Sequence, residues 1–98
     1  MATFIWVGNF TEQGMRTIKD TTKRSVAAKE LAKKFNVTIK DMYWTVGQYD
    51  LVAIFEAPDA ESISAFGLTI GLSGNLSGQT LRAFNKDQMD AVLAKVGQ

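Results

Sequence analysis

Tyr43-Trp44-Thr45-Val46-Gly47-Gln48-Tyr49-Asp50-Leu51-Val52-Ala53-Ile54-Phe55 consists of two apolar runs separated by a short polar break that contains a glycine. Runs rich in β-branched and aromatic residues read as strands, and the break reads as a tight connection between them. Gly47 takes positive φ at no steric cost, so it is expected to be the structural residue of a hairpin corner. Tyr49 and Asp50 then open the second strand of the pair, one ring and one carboxylate beside an exposed turn. The hairpin is expected in the middle of the sheet.

Upstream, Thr3-Phe4-Ile5-Trp6-Val7-Gly8-Asn9-Phe10 reads as the first strand. Phe4, Trp6, Gly8 and Phe10 point one way, and Ile5, Val7 and Asn9 the other. Both faces are largely apolar, whereas a sheet with one wet face alternates more cleanly. Thr11 to Lys19 is polar and reads as a loop or a single helical turn. From about Thr22 to Phe35 the period becomes helical, with Ala28, Leu31, Ala32 and Phe35 at i, i+3, i+4, i+7. Asp20 or Thr22 is the expected cap, and Asn36 the left-handed terminator. The second strand follows from about Val37 to Val46.

Downstream, the third strand runs from Asp50 to Glu56. Ala57-Pro58-Asp59 ends it and starts a helix, because proline cannot continue the ladder and aspartate is a good N-cap. That helix carries Ile63, Phe66, Gly67 and Ile70 on one face. Gly67 is about 1 kcal/mol worse than alanine in a helix interior, so a close approach to the sheet is expected there. Gly71 to Gly78, rich in Gly, Ser and Asn, reads as a loop that edges a cavity, and Gln79 to Phe84 as a fourth strand. Asn85 and Gln88 form a capping box, and Met89, Val92, Leu93 and Val96 give a terminal amphipathic helix.

The order strand, helix, strand, strand, helix, strand, helix is the split βαβ pattern of an α+β, ferredoxin-like βαββαβ fold with an extra C-terminal helix. Its four-stranded antiparallel sheet carries helices on one face. The other face is expected to hold Trp, Tyr, Phe, Met and Ile from at least three strands, too much apolar surface for a monomer. The simplest solution is a second copy packed sheet to sheet, a homodimer or a multiple of dimers.

At 98 residues the chain is expected to be one domain, 1–98. Hydrophobic residues make up 46% and charged ones 21%, which excludes a disordered chain. The net charge of +1 supplies no global field that would commit it to nucleic acid or membrane. Cysteine and histidine are both missing. Disulfide and thiolate chemistry are therefore excluded, and so are the usual general base, the commonest metal ligand and the usual haem ligand. No metal and no cofactor is expected. No apolar run approaches the roughly 20 residues of a membrane span, and Met1 to Phe10 is too short to be a signal peptide. A soluble cytoplasmic protein is expected.

Thr45 to Val52 resembles the Gly-x-Tyr-Asp signature of the GYD domain family. Ala2-Thr3-Phe4, the segment Gly8 to Gly14, Tyr43-Trp44-Thr45 and Thr80-Leu81-Arg82-Ala83-Phe84 are similar to that family too, so the resemblance covers nearly the whole chain. It implies a ferredoxin-like protein of the dimeric α/β-barrel type and little about activity. From Val46 to Leu81 the pattern also resembles the effector-binding domain of Lrp/AsnC transcriptional regulators, including Ser77-Gly78-Gln79-Thr80. That likeness implies oligomerisation and binding of a small molecule between subunits near the turn. No helix-turn-helix segment precedes the sheet, which argues against regulation by direct DNA binding.

The candidate ligand-binding residues are Tyr49, Asp50, Trp6, Asn9, Trp44 and Arg82. Tyr49 and Asp50 would hold a ligand or supply a base; alternatively Asp50 accepts backbone N–H bonds in the turn, a common role for aspartate, and Tyr49 packs on a neighbouring subunit. Trp6, Met42, Tyr43 and Trp44 would line an aromatic cavity or fill a core. Residues 42 and 44 share a face that Tyr43 cannot share. Arg82 would clamp a carboxylate or form an ion pair with Glu56 or Asp41, the latter being favoured. The basic run Arg16, Lys19, Lys23, Arg24, Lys29, Lys33, Lys34 and Lys40 reads as a solvated face, because no free aromatic is interleaved. Two functions follow. One is a non-catalytic homo-oligomeric module that binds a small molecule at the subunit interface. The other is a cofactor-independent oxygenase or isomerase using Trp6, Asn9, Tyr43, Trp44 and Arg82.

Overall fold

The computed structural model describes residues 1–97. Its elements are β1 (Ala2–Phe10), α1 (Glu12–Arg16), a 3-10 turn (Ile18–Asp20), α2 (Thr21–Lys33), β2 (Thr38–Trp44), β3 (Leu51–Ala57), α3 (Ala60–Leu72), β4 (Leu76–Ala83) and α4 (Lys86–Leu93). The sheet is antiparallel throughout, in the order β2-β3-β1-β4. This is the expected ferredoxin-like α+β arrangement. The hairpin is not the middle of the sheet, however. β3 is central, but β2 is an edge strand, because β1 takes the other side of β3 in the register Gly8↔Leu51 to Ala2↔Ala57.

Registers decide which face each side chain occupies. Phe4 and Trp6 of β1 lie on the same face as Leu51, Ala53, Phe55 and Ala57 of β3, and α2 and α3 cover that face. The core there is Phe4, Ala32, Val37, Ala53, Phe55, Ala57, Ile63 and Phe66. Phe66 carries the centre of it, with Phe55 edge-on at 5.7 Å and Phe35 at 6.0 Å between ring centroids. The helical stripe read from the sequence thus holds: Ala32 is fully buried, and Leu31 and Phe35 pack on the core. The opposite face bears Ile5, Val7, Val52, Ile54, Leu81 and Tyr43, paired across the sheet as Ile5↔Ile54, Ile5↔Leu81, Val7↔Val52 and Tyr43↔Val52. Trp6, Met42, Trp44 and the phenylalanines of β1 and β3 are therefore not on the open face. That face has an aliphatic centre with one tyrosine, bordered by Asp41 opposite Ile54, Gln79 opposite Val7 and Glu56 opposite Thr3.

Local signals explain most of the element ends. Asn36 terminates α2 with φ of 60°. Asp20 stands at the start of α2 without a side-chain cap bond, since the 3-10 turn runs directly into the helix. Gly47 has φ of 138°, and a side chain there would meet no atom within 4 Å. Gly47→Val thus carries backbone strain alone, an expected loss of about 1–3 kcal/mol readable as a lower denaturation midpoint. The 71–78 segment is shorter as a loop than its composition suggests. Gly71 and Leu72 complete α3 and Leu76 to Gly78 begin β4, which leaves only Ser73, Gly74 and Asn75 between them.

Asp59 caps α3, accepting from the Ser62 backbone N–H at 2.7 Å. The Ser62 backbone and side-chain hydrogen bonds hold its carboxyl below the ordinary value. A carboxyl depressed by folding stabilises the fold above its unfolded-state value and loses that contribution as pH falls through the folded one. Asp59→Ala is therefore expected to lower the thermal midpoint at neutral pH. The gap to wild type should close below about pH 4, where the unfolded carboxyl protonates. A gap that persists unchanged into acid would show that the charge is not involved.

Candidate functional site

Between the sheet and its two helices lies a groove of about 1060 Å³. The helices close over the core where Phe35, Phe55 and Phe66 meet. Towards the start of α2 and the end of α3 they part. The floor there is Trp6, Phe10, Met42, Trp44, Leu51 and Ala53; Ala28 and Leu31 of α2 form one wall, and Gly67, Ile70 and Gly71 of α3 the other. A Cβ on Gly67 or Gly71 would meet nothing within 4 Å. The expected close approach of Gly67 to the sheet is thus not what the fold contains. Gly67 leaves space rather than filling it.

Trp6 sits in a slot that two glycines make. Gly8 and Gly78 are directly paired between β1 and β4, and a Cβ on either would overlap the Trp6 ring. The same Cβ atoms would stand 2.7 Å from the Ser77 carbonyl oxygen and 2.5 Å from that of Val7, respectively. Glycine in a strand interior commonly marks such a close approach. Trp44 is fixed differently, its indole N–H donating to Thr21 Oγ1 at 3.0 Å, which ties the start of α2 to β2. The groove's end is closed by Ser73-Gly74-Asn75. That loop is clamped to the start of α1 through Thr11 Oγ1 donating to the Gly74 carbonyl at 2.6 Å and Gln13 Nε2 to the Ser73 carbonyl at 2.9 Å.

Of the residues singled out in the sequence, Trp6 and Trp44 line this groove. Asn9 and Asp50 come together elsewhere and engage each other. The Asp50 N–H donates to Asn9 Oδ1 at 2.9 Å and to the Gly8 carbonyl at 3.0 Å, and the Phe10 N–H donates to Asp50 Oδ2 at 3.0 Å. Asp50 therefore extends the β1–β3 pairing past its last register pair, much as its alternative reading as a backbone acceptor has it. Tyr49 lies in the connection, where its carbonyl accepts from Thr45 Oγ1 at 2.5 Å. Arg82 forms no ion pair with Glu56 or Asp41, which corrects that expectation. Glu56 is taken by Lys40 at 3.1 Å. The Arg82 guanidinium instead lies over the rings of Phe4 and Phe84, 5.5 and 4.8 Å from their centroids, and donates to the Thr3 carbonyl at 3.2 Å and to that of Ala83.

The five groups proposed for a cofactor-independent reaction do not converge. Tyr43 faces the other side of the sheet, Asn9 is bonded to Asp50, and Arg82 is stacked at the end of β4. Among the described residues lining the groove, Arg24 alone is ionisable, and it already donates to the Thr17 carbonyl at 2.9 Å. The sequence could not show this groove, because its depth depends on how α2 and α3 splay. The two helical glycines were its nearest signal.

The fold and groove define a small α+β protein with an apolar recess between sheet and helices. The chain belongs to the GYD domain family, whose model matches residues 4–93. A curated relative from Thermus thermophilus, named glutamine synthetase and cystathionine beta-lyase binding protein, is 31% identical over 84 residues, covering 85% of this chain and 88% of the relative. The crystal structure of TTHA0845, also from Thermus thermophilus, matches with a TM-score of 0.54 at 23% identity, over 87% of this chain and 95% of that one. It supports the fold. Among the described residues no helix is long and apolar enough to cross a membrane.

Proposed function

We propose that the protein is a non-catalytic binding module that works as a homodimer, or a multiple of dimers, and that its groove receives an apolar, ring-bearing small molecule. The observation that carries this reading is the groove itself. Its walls are overwhelmingly apolar, two tryptophans stand in it, and its one ionisable side chain is engaged. Such a recess suits ligand burial and offers no group for proton transfer. Self-association is supported by the open sheet face, where Ile5, Val7, Val52, Ile54, Leu81 and Tyr43 form one contiguous apolar patch of the kind monomers rarely expose. The dimer places that face, rather than the groove, between the two copies.

A second reading is that the module also docks on other proteins. The name of the Thermus thermophilus relative, a binding protein for two enzymes, favours it. Purified glutamine synthetase and cystathionine beta-lyase passed over the immobilised chain test it directly, and retention of neither would remove the reading.

The groove is tested with Gly67→Leu. Leucine at this position projects into open space, and it improves helix propensity by roughly 1 kcal/mol. Binding of an anilinonaphthalene sulfonate dye, followed by its fluorescence and by quenching of tryptophan, is expected to weaken at least tenfold while the thermal midpoint holds or rises. Native mass spectrometry of the freshly purified protein reports copy number and any retained small molecule. Unchanged dye affinity in Gly67→Leu would show that the groove is not the receiving site.

A further inference from the structure

We infer that the groove takes a small organic anion, its ring-bearing body against Trp6 and Trp44 and its charged group at the Arg24 guanidinium. This rests on the groove reading proposed above and names the class of molecule received. Its starting point is the side of α2 that faces the groove. Thr21, Arg24, Ser25, Ala28 and Leu31 line it, and their spacing puts them on one helical stripe. The stripe is polar over its first turn and apolar beyond it. The groove is thus graded along its length, with two hydroxyls and a guanidinium at the start of α2 and an apolar wall leading to the core. An occupant with one polar end matches both parts, whereas a wholly apolar one matches only the second.

The sign of that polar end follows from Arg24, which is held in place but not neutralised. Its Nη1 donates to the Thr17 carbonyl and to Thr17 Oγ1, each at 2.9 Å, and its Nη2 to the Gly14 carbonyl at 3.4 Å. All three acceptors are uncharged, and a guanidinium carries five N–H donors. Among the described residues, the ion pairs join Arg16 to Glu12, Lys33 to Glu30, Lys40 to Glu56 and Lys86 to Asp90. None involves Arg24, not even with Asp20 four residues before it. No aspartate or glutamate stands among the described residues lining the groove. Gly14, whose carbonyl Arg24 reaches, is packed on the far loop, since a Cβ there would stand 2.2 Å from the Asn75 carbonyl oxygen. The guanidinium therefore sits at the end of the groove that Ser73-Gly74-Asn75 closes.

Charge complementarity then selects the occupant. Arg24 is half-buried. At an effective dielectric constant of about 20, two unit charges attract about four times as strongly as in bulk water. A cationic head would meet the same factor as repulsion, and a neutral one would leave the charge unmatched. A carboxylate or sulfonate also suits the fork of N–H donors. Because neutral groups already position the side chain, less of its freedom is lost when an anion arrives. The Thr21 hydroxyl, oriented by the Trp44 indole N–H at 3.0 Å, stands one turn away on the same stripe.

The test uses two dyes that differ by one charged group, 1-anilinonaphthalene-8-sulfonate and the neutral N-phenyl-1-naphthylamine, titrated into the full chain by fluorescence. Arg24→Gln is expected to weaken the sulfonate at least fivefold and the neutral dye less than twofold. The neutral dye reports in the same sample that the groove keeps its shape without the Arg24 clamp. Arg24→Lys, which keeps the charge but not the fork, should recover part of the sulfonate affinity. Lys29→Gln, on an exposed position of the same helix, removes the same unit of charge and should leave both dyes as in wild type. Equal weakening of both dyes in Arg24→Gln would make Arg24 a clamp on the groove's shape and overturn the anion site. So would unchanged binding of the sulfonate, or an equal loss in Lys29→Gln. A wild type that binds neither dye would remove the groove reading and the anion site together.

Discussion

Gly78→Ala is expected to destabilise the protein by about 3 kcal/mol, a large loss for one added methyl group. The new Cβ would overlap the Trp6 ring and stand 2.5 Å from the Val7 carbonyl oxygen. The ring can leave by changing rotamer, which empties the slot and disturbs the groove floor. The carbonyl belongs to the neighbouring strand and can yield only by opening the β1–β4 ladder. A double-mutant cycle separates the two. In a Trp6→Ala background the ring part of the penalty vanishes, so Gly78→Ala should become milder by about 1–2 kcal/mol, within the range of contacting pairs. The measurements are urea midpoints of the four proteins, with the fluorescence of Trp44 as the remaining reporter where Trp6 is absent. A Gly78→Ala penalty that is unchanged in the Trp6→Ala background would mean that Trp6 does not occupy the slot, and a Gly78→Ala variant as stable as wild type would mean that neither the ring nor the Val7 carbonyl stands against Gly78.

The Gly8–Gly78 pair also shows where reading along the chain reaches its limit. In sequence, Gly78 is the last of three glycines in a Gly, Ser and Asn-rich run, and composition makes that run a loop. Its role depends on a distant partner, through a register between β1 and β4 that no local pattern encodes. Gly67 misleads in the opposite sense. A helical glycine commonly marks a close approach, but here it borders open space. Local chemistry was far more legible. Asp59, Asn36, Gly47 and the Asn85–Gln88 box all act as their residue types and spacings indicate, because each acts within a few positions of itself. Period marked most strands and helices, and element order indicated the ferredoxin-like class, but neither placed β2 at the edge of the sheet nor assigned residues 71–72 and 76–78 to α3 and β4. What period could not assign was which face of each strand meets the helices. In β1 both faces are apolar, so Trp6 and Ile5 look equally suited to the core until α2 and α3 are placed.

The same ambiguity bears on the site. Trp6 and Trp44 were legible as cavity residues, but the cavity is between sheet and helices and not between sheets. Asn9, Asp50 and Arg82 looked like ligand groups because polar residues on strands invite that reading. Each is instead engaged by a backbone carbonyl, a backbone N–H or an aromatic ring of its own chain. Polar side chains near the end of a sheet have many main-chain groups to satisfy, since the last carbonyls and N–H groups lie beyond the ladder. Asp50 does this for Phe10, and Arg82 for Thr3 and Ala83. What those engagements leave uncommitted is apolar surface, within the groove and on the open face.

Ile5→Glu is expected to split the assembly while leaving the protomer folded. Ile5 sits on the open face between Ile54 and Leu81, its partners in the neighbouring strands. In a lone protomer a carboxylate there faces water, so the helix-side core of Phe4, Phe55 and Phe66 is untouched. In a sheet-to-sheet dimer the same carboxylate is enclosed by aliphatic side chains, and the two-fold axis brings a second one near it. Burying an unpaired charge costs several kcal/mol, and like charges add to that. The dissociation constant should therefore rise at least about a hundredfold, equivalent to about 2.7 kcal/mol. Added salt should recover only part of the loss, since screening weakens the repulsion but not the desolvation. Lys19→Gln, on the exposed basic run before α2, lowers the net charge by the same single unit and serves as the control. Sedimentation of the three proteins over one concentration series, with circular dichroism to verify the fold, gives the answer. If Ile5→Glu associates as tightly as the Lys19→Gln control, the open face is not where the copies meet. The apolar strip from Tyr43 to Leu81 would then have to be covered by a different protein.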